Sequence, residues 1–253
     1  EKTTARQLMK IEITSYCHGL LDKTRLSLTK EIINDSTSDL ILFSGHTIGF
    51  VNDIETLKTD IDNKQTEAIL ELQNINSDKI GNCLYRVTNG KLISLNTNQI
   101  FTQSSEIEGN YELAARLLHE FETNRIIKIK GYTIMIIQCG EINILKNFQS
   151  EKNRVEFRFL DDHSLNERFN KLINSTDIFL NPIHTPMGNQ AKMQKRREYF
   201  SKDKRYYFST SNTREDSKDL KLKSLQYALF DEKLITAIDE QITDYSIRRI
   251  YEI

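Results

Sequence analysis

Ile134-Met135-Ile136-Ile137-Gln138-Cys139-Gly140-Glu141-Ile142-Asn143 decides the reading of this chain. A strongly apolar strand delivers a cysteine to its end, a glycine follows, and a carboxylate stands two positions beyond the cysteine. An apolar run of this kind is a strand covered on both faces, as in α/β proteins. Glycine removes the Cβ that would obstruct a sharp turn or a substrate's approach. A helix beginning at Glu141 would draw the thiol below its free pKa of about 8.5, and a thiolate is a competent covalent nucleophile. The bland alternative is a structural thiol, because free cysteine is among the most buried residue types.

Working outward, Met9–Tyr16 alternates as a strand, Leu20–Ile33 has helical spacing, and Leu40–Phe43 is a short buried strand ending at Ser44-Gly45-His46. Thr66–Leu72, Cys83–Val87 and Lys91–Leu95 read as strands, the last two joined by Asn89-Gly90, which tolerates the positive φ of a tight turn. Glu108–Asn124 is helical, with Glu106 and Glu108 near its positive end. Ile126–Ile129 and Tyr132–Gln138 flank another hairpin at Lys130-Gly131. Arg154–Phe159 reads as a strand, Leu165–Ile173 as a helix, Asp177–Leu180 as a buried strand, and 188 to 204 as a basic helix. Tyr206–Ser209 is a strand, Lys233–Gln241 a helix, and Tyr245–Ile253 an extended tail. Both prolines, Pro182 and Pro186, fall just after a buried strand, which predicts a shaped loop at the strand's carboxyl end.

Composition narrows the classes. The 253 residues are 38% hydrophobic and 28% charged, a globular balance with enough chain for a core. Lys+Arg (35) nearly cancel Asp+Glu (36), which argues against a nucleic-acid partner and against a membrane surface. No apolar run approaches the roughly 20 residues of a membrane-spanning helix. The polar start at Glu1 is not a secretory signal, and the chain reads as trimmed or cut from something longer. Cys17, Cys83 and Cys139 make no complete disulfide set, which points to a reducing, cytoplasmic setting. His18, His119 and His163 show no ligand spacing, so no metal and no cofactor are expected. Seven cations between Lys192 and Arg205 are interleaved with aromatics, but the net charge of -1 favours a solvated helix over a phosphate-binding face.

Four segments, in order, resemble the nitrilase superfamily of carbon–nitrogen hydrolases: the hairpin Leu84-Tyr85-Arg86-Val87-Thr88-Asn89-Gly90-Lys91, the segment Ile137-Gln138-Cys139-Gly140-Glu141, the strand Asp177–Pro182 ending in Asn-Pro, and Tyr206–Asn212 ending in serine and asparagine. The resemblance covers about Met9 to Asn212. It implies an α-β-β-α sandwich spanning residues 1–253 as one domain, with 213–253 a C-terminal extension available to oligomer contacts. It also implies a homo-oligomer, a small-molecule ligand, and amide or nitrile chemistry through a thioester or thioimidate on Cys139.

The family's mechanism needs a glutamate as base and a lysine for the developing charge. The glutamate position falls at Ser44-Gly45, and Asn96–Phe101 holds no lysine where one belongs. Of the triad only Cys139 carries over. His46 and Glu141 are the substitute bases, backbone N–H groups near Gly140 the oxyanion donors, and His184 and Thr185 substrate contacts on the loop after the Asn-Pro strand. Losing one negative and one positive group together keeps the pocket's charge balanced, so the sequence favours a non-hydrolytic ligand-binding or interaction domain. A divergent thiol-dependent amidohydrolase is the alternative.

Overall fold

A computed structural model describes residues 6–49, 61–76 and 79–253; the polar start at 1–5 lies outside them. Two sheets dominate. The first contains β1 (Lys10–Tyr16), β2 (Leu40–Phe43), β3 (Glu67–Asn76), β4 (Lys79–Thr88), β5 (Lys91–Asn98), β14 (Asp239–Ile242) and β15 (Ser246–Glu252), in the order β14-β15-β1-β2-β3-β4-β5. The second contains β6 (Ile126–Ile129), β7 (Tyr132–Ile136), β10 (Ile178–Ile183), β11 (Tyr206–Ser211), β12 (Gln226–Phe230) and β13 (Lys233–Leu234), in the order β13-β12-β11-β10-β7-β6. The pairs β1–β2, β2–β3, β7–β10 and β10–β11 are parallel. A separate ribbon pairs β8 (Leu145–Phe148) with β9 (Arg154–Phe157).

The period of two along each strand makes the layers. Ile11, Ile13, Leu40, Leu42 and Ile69 of the first sheet share one core with Ile134, Ile136, Ile178, Leu180 and Phe208 of the second. The alternate residues face helices. Ile41, Phe43, Ala68 and Leu70 bury Ile32 and Ile33 of α1 (Asp22–Asp35). Met135, Phe179 and Tyr207 form the opposite outer core with α3 (Tyr111–Asn124), α4 (His163–Asn174) and α5 (Gln190–Ser201), which supply Leu117, Leu118, Phe121, Phe169 and Phe200. The short α2 (Ser104–Ile107) precedes α3 and buries Ile107 in the same core. The architecture is therefore an α-β-β-α sandwich.

Three expectations need correction. Lys233–Gln241 is not a helix: Leu234 pairs with Leu229 and Asp239 with Ile250, so the segment joins one edge of each sheet as β13 and β14. Tyr245–Ile253 is not a loose tail, because β15 lies antiparallel to β1 over its whole length and buries Ile247 and Tyr251. The helix expected from Glu108 begins at Tyr111, where the Asn110 side chain accepts from the Leu113 N–H; Glu106 belongs to α2 instead. The basic segment is a helix, but Arg196, Arg197 and Arg205 are buried, and Arg196 and Arg205 donate to Asn147 and to the Phe200 carbonyl.

Candidate active site

Strand β7 runs into a 3-10 turn, Cys139–Ile144, whose first residue holds φ at 33°. A non-glycine residue in that region is strained and persists only where its surroundings enforce it. Gly140 is enforced by space: a Cβ there would lie 1.8 Å from the Thr102 carbonyl oxygen. Glu141 is enforced by charge. Its fully buried carboxylate pairs with Arg125, equally buried, and accepts from the Ile100 and Gln138 backbone N–H groups at 2.7 and 2.9 Å. Arg125 also donates to Thr97, one of the residues where the resemblance expects a lysine. Glu141 is thus occupied in holding the turn, which is a structural employment rather than that of a base.

The loop after β10 brings His184 to the cysteine. Its imidazole hydrogen-bonds both Cys139 and the Glu71 carboxylate, the latter through Nε2 at 2.5 Å. Burial alone would depress this imidazole's pKa, but the bonds and negative charges of Cys139 and Glu71 outweigh it and push the value up to about 10. Glu71 comes from the inward face of β3 and is fully buried. Burial opposes its charge, yet it accepts from His184, from Gln138 Nε2 at 2.7 Å and from the His46 backbone N–H at 3.0 Å, and its carboxyl is held below the usual range.

His46 stacks on His184 with ring centroids 3.5 Å apart and donates from Nε2 to Asn82 Oδ1 at 3.0 Å. Burial and the neighbouring His184 charge lower it to about 4, so it is neutral at pH 7. His46 therefore reaches the site as a neutral plate beneath the imidazolium. Thr185 is exposed on the rim of the same loop.

The reason His184 fits is Gly45. A Cβ on Gly45 would lie 2.5 Å from His184 Cδ2, so the imidazole fills space that any side chain at 45 would claim. Asn212 fixes this loop from the other sheet, donating to the Gly45 carbonyl at 2.8 Å and accepting from Ser44 Oγ at 2.5 Å. Asn181 does the same for β7, donating to the Ile137 carbonyl at 2.5 Å.

The donor atoms of His46, Glu71 and His184 lie within 4.8 Å of one another, a separation a divalent cation could bridge. Both Nε2 atoms are already engaged, one by Glu71 and the other by Asn82, so the set reads as a proton-holding cluster. Sequence reasoning placed Cys139, His46 and His184 in this neighbourhood and missed Glu71, Gln138 and Asn82. The available signal was a carboxylate inside the apolar run Ala68-Ile69-Leu70-Glu71-Leu72, since an unpaired charge is not buried without a partner.

No family model matches the chain, and no curated protein matches it by sequence. Solved structures do match its fold. One is XC1258 from Xanthomonas campestris, a CN-hydrolase superfamily protein with an arsenic adduct in its active site: 12% identity, TM-score 0.56, covering 98% of this chain and 91% of that one. Another is an amidase from Nesterenkonia sp., at 8% identity and TM-score 0.57, covering 100% and 93%. A third is a glutamine-dependent NAD(+) synthetase from Cytophaga hutchinsonii, at 13% identity and TM-score 0.57; the match covers 98% of this chain but 43% of that enzyme. The chain has the fold of the CN-hydrolase, or nitrilase, superfamily. Among the described residues no helix is long and apolar enough to cross a membrane.

Proposed function

We propose that this CN-hydrolase-like domain is a thiol-dependent acyl-transfer enzyme, cleaving a small amide through Cys139 with His184 and Glu71 in place of the family's glutamate and lysine. The observation that carries it is the imidazole held between Cys139 and a buried carboxylate. That arrangement reverses the preference for a non-hydrolytic domain, which rested on the absence of any titratable partner for the thiol.

The chemistry follows from proton positions. With the proton on His184, the Cys139 thiolate adds to the substrate carbonyl carbon. The tetrahedral adduct collapses as His184 gives its proton to the departing nitrogen, leaving a thioester and a free amine. Water then attacks the thioester, His184 takes its proton, and the carboxylic acid leaves as the thiolate–imidazolium pair returns. Glu71 orients the imidazole and stabilises its charged form, the role a carboxylate plays in such triads. In a related setting, the Nesterenkonia amidase takes up the acetamide moiety of fluoroacetamide covalently at its active-site cysteine. A homo-oligomer and a small-molecule ligand belong to the same proposal.

The test is acylation by an activated ester such as p-nitrophenyl acetate, followed by intact mass. The wild type should add one acetyl group at Cys139 and release it slowly. Cys139→Ala should add none there, and His184→Gln should acylate at least tenfold more slowly. Equal alkylation by iodoacetamide at Cys139 and at Cys83, whose thiol burial and the Glu71 charge push upward, would remove the case for an activated nucleophile.

A further inference from the structure

Fully buried ions in this protein are matched: Arg125 with Glu141, Glu12 with Arg248 at 2.6 Å, Glu71 with His184. Arg197 is the exception. Its side chain lies under α5 with 2% of the residue exposed, and among the described residues no carboxylate lies within salt-bridge reach. One guanidinium nitrogen, Nη2, donates to Gln190 Oε1 at 3.0 Å, and the plane sits 3.6 Å from the Tyr227 ring centroid. Nε and Nη1 are buried and face no acceptor. Ser209 Oγ, also fully buried, is equally without a partner. These groups share one neighbourhood, since the buried Tyr207 hydroxyl lies beside both Arg197 and Ser209 and donates to Asn181 Oδ1 at 2.8 Å.

An uncompensated buried cation is strongly unfavourable, and so is each buried N–H without an acceptor. A single small anion would answer both costs, accepting from Nε, Nη1 and the Ser209 hydroxyl. The space lies behind strands and a helix, which excludes a bulky ligand. Its way in is marked by Gln190, the Arg197 partner, which also lines an open cleft of about 500 Å³ with Pro186, Met187, Arg214 and Asp216. We infer that Arg197, Ser209 and the Tyr227 ring form a binding site for a small monovalent anion, chloride being the physiological candidate. The site stands behind the strand ends of the candidate active site, because Asn181 links Tyr207 to the Ile137 carbonyl, two residues before Cys139.

The test is thermal unfolding at fixed ionic strength, with chloride exchanged for gluconate, which is too large to enter. The wild type should melt higher in chloride, by roughly 3–6 °C for each tenfold rise above half-saturation. Bromide should substitute for chloride. Arg197→Met should melt at the same temperature in both salts. Identical wild-type melting in chloride and gluconate would overturn the inference, as would an undiminished chloride effect in Arg197→Met. Should that variant not fold, crystals of the wild type in bromide decide: an anomalous peak beside Arg197 Nε supports the site, and none there overturns it. None of these readouts involves turnover, so this result and the outcome of the acylation experiment are independent.

Discussion

Gly45 and His184 behave as one exchange. The resemblance expects a glutamate at Ser44-Gly45, at the end of β2; here that side chain is gone and an imidazole from the opposite sheet stands where it would begin. The compensation is spatial, since the functional group arrives from another strand rather than from another rotamer. Gly45→Ala therefore acts on His184 without touching any titratable residue. A Cβ 2.5 Å from Cδ2 forces the ring away from Cys139, and a displacement of about an ångström costs on the order of a hundredfold in a positioned reaction. The expected result is a comparable loss in the acylation rate with a cooperative thermal transition retained, measured by stopped-flow absorbance and circular dichroism. An unchanged rate would mean that His184 does not need its present place.

At the scale of the element, the turn after β7 is held by a buried ion pair and a backbone contact. Glu141 neutralises Arg125 where neither reaches solvent, so removing the carboxylate leaves a buried charge. Glu141→Ala should lower the unfolding free energy by about 3–5 kcal/mol in urea titrations. Cys139→Ala removes one small, partly buried side chain from the same turn and should cost on the order of 1 kcal/mol. The contrast separates two residues that stand two positions apart. If Glu141 served only as a base, both substitutions would leave stability alike.

For the whole molecule, the site clamps both sheets together, so its protonation shows in global stability. His184 faces Cys139, Glu71 and His46, and its pKa is raised to about 10. The native state thus holds a proton that the unfolded chain releases above pH about 6.5, and stability falls as pH climbs from there towards 10. His46 faces His184, Glu71 and the nearby charge of Arg25, and is lowered to about 4. Here the unfolded chain binds the extra proton, so stability also falls as pH drops from about 6.5 towards 4. The depressed Glu71 adds to the acid side, because its stabilisation is lost as it protonates. Melting temperature should peak near neutrality, and His184→Gln should flatten the alkaline limb. A wild-type profile level from pH 7 to 10 would contradict the imidazolium.

The amino-acid sequence determined the layers. Alternation in Met9–Tyr16, Ile134–Ile137 and Tyr206–Ser209 assigns inward and outward faces, the Asn89-Gly90 turn sets a hairpin, and the strand ending in Cys139-Gly140 places the thiol. These are local facts, carried by side-chain period and by the backbone freedom of glycine. Lys233–Gln241 shows where local pattern loses: helical spacing there yields to strand pairing with β12 and β15, which satisfies backbone groups along both sheet edges. The site belongs to tertiary structure alone. Glu71 and His184 are 113 residues apart, and Arg125 and Glu141 meet only across a strand end. Such meetings are set by sheet register and by the packing of one sheet on the other, which leave no periodic trace in either segment. A buried glutamate in an apolar strand announces that a partner exists; only the fold says that the partner is the imidazole beside Cys139.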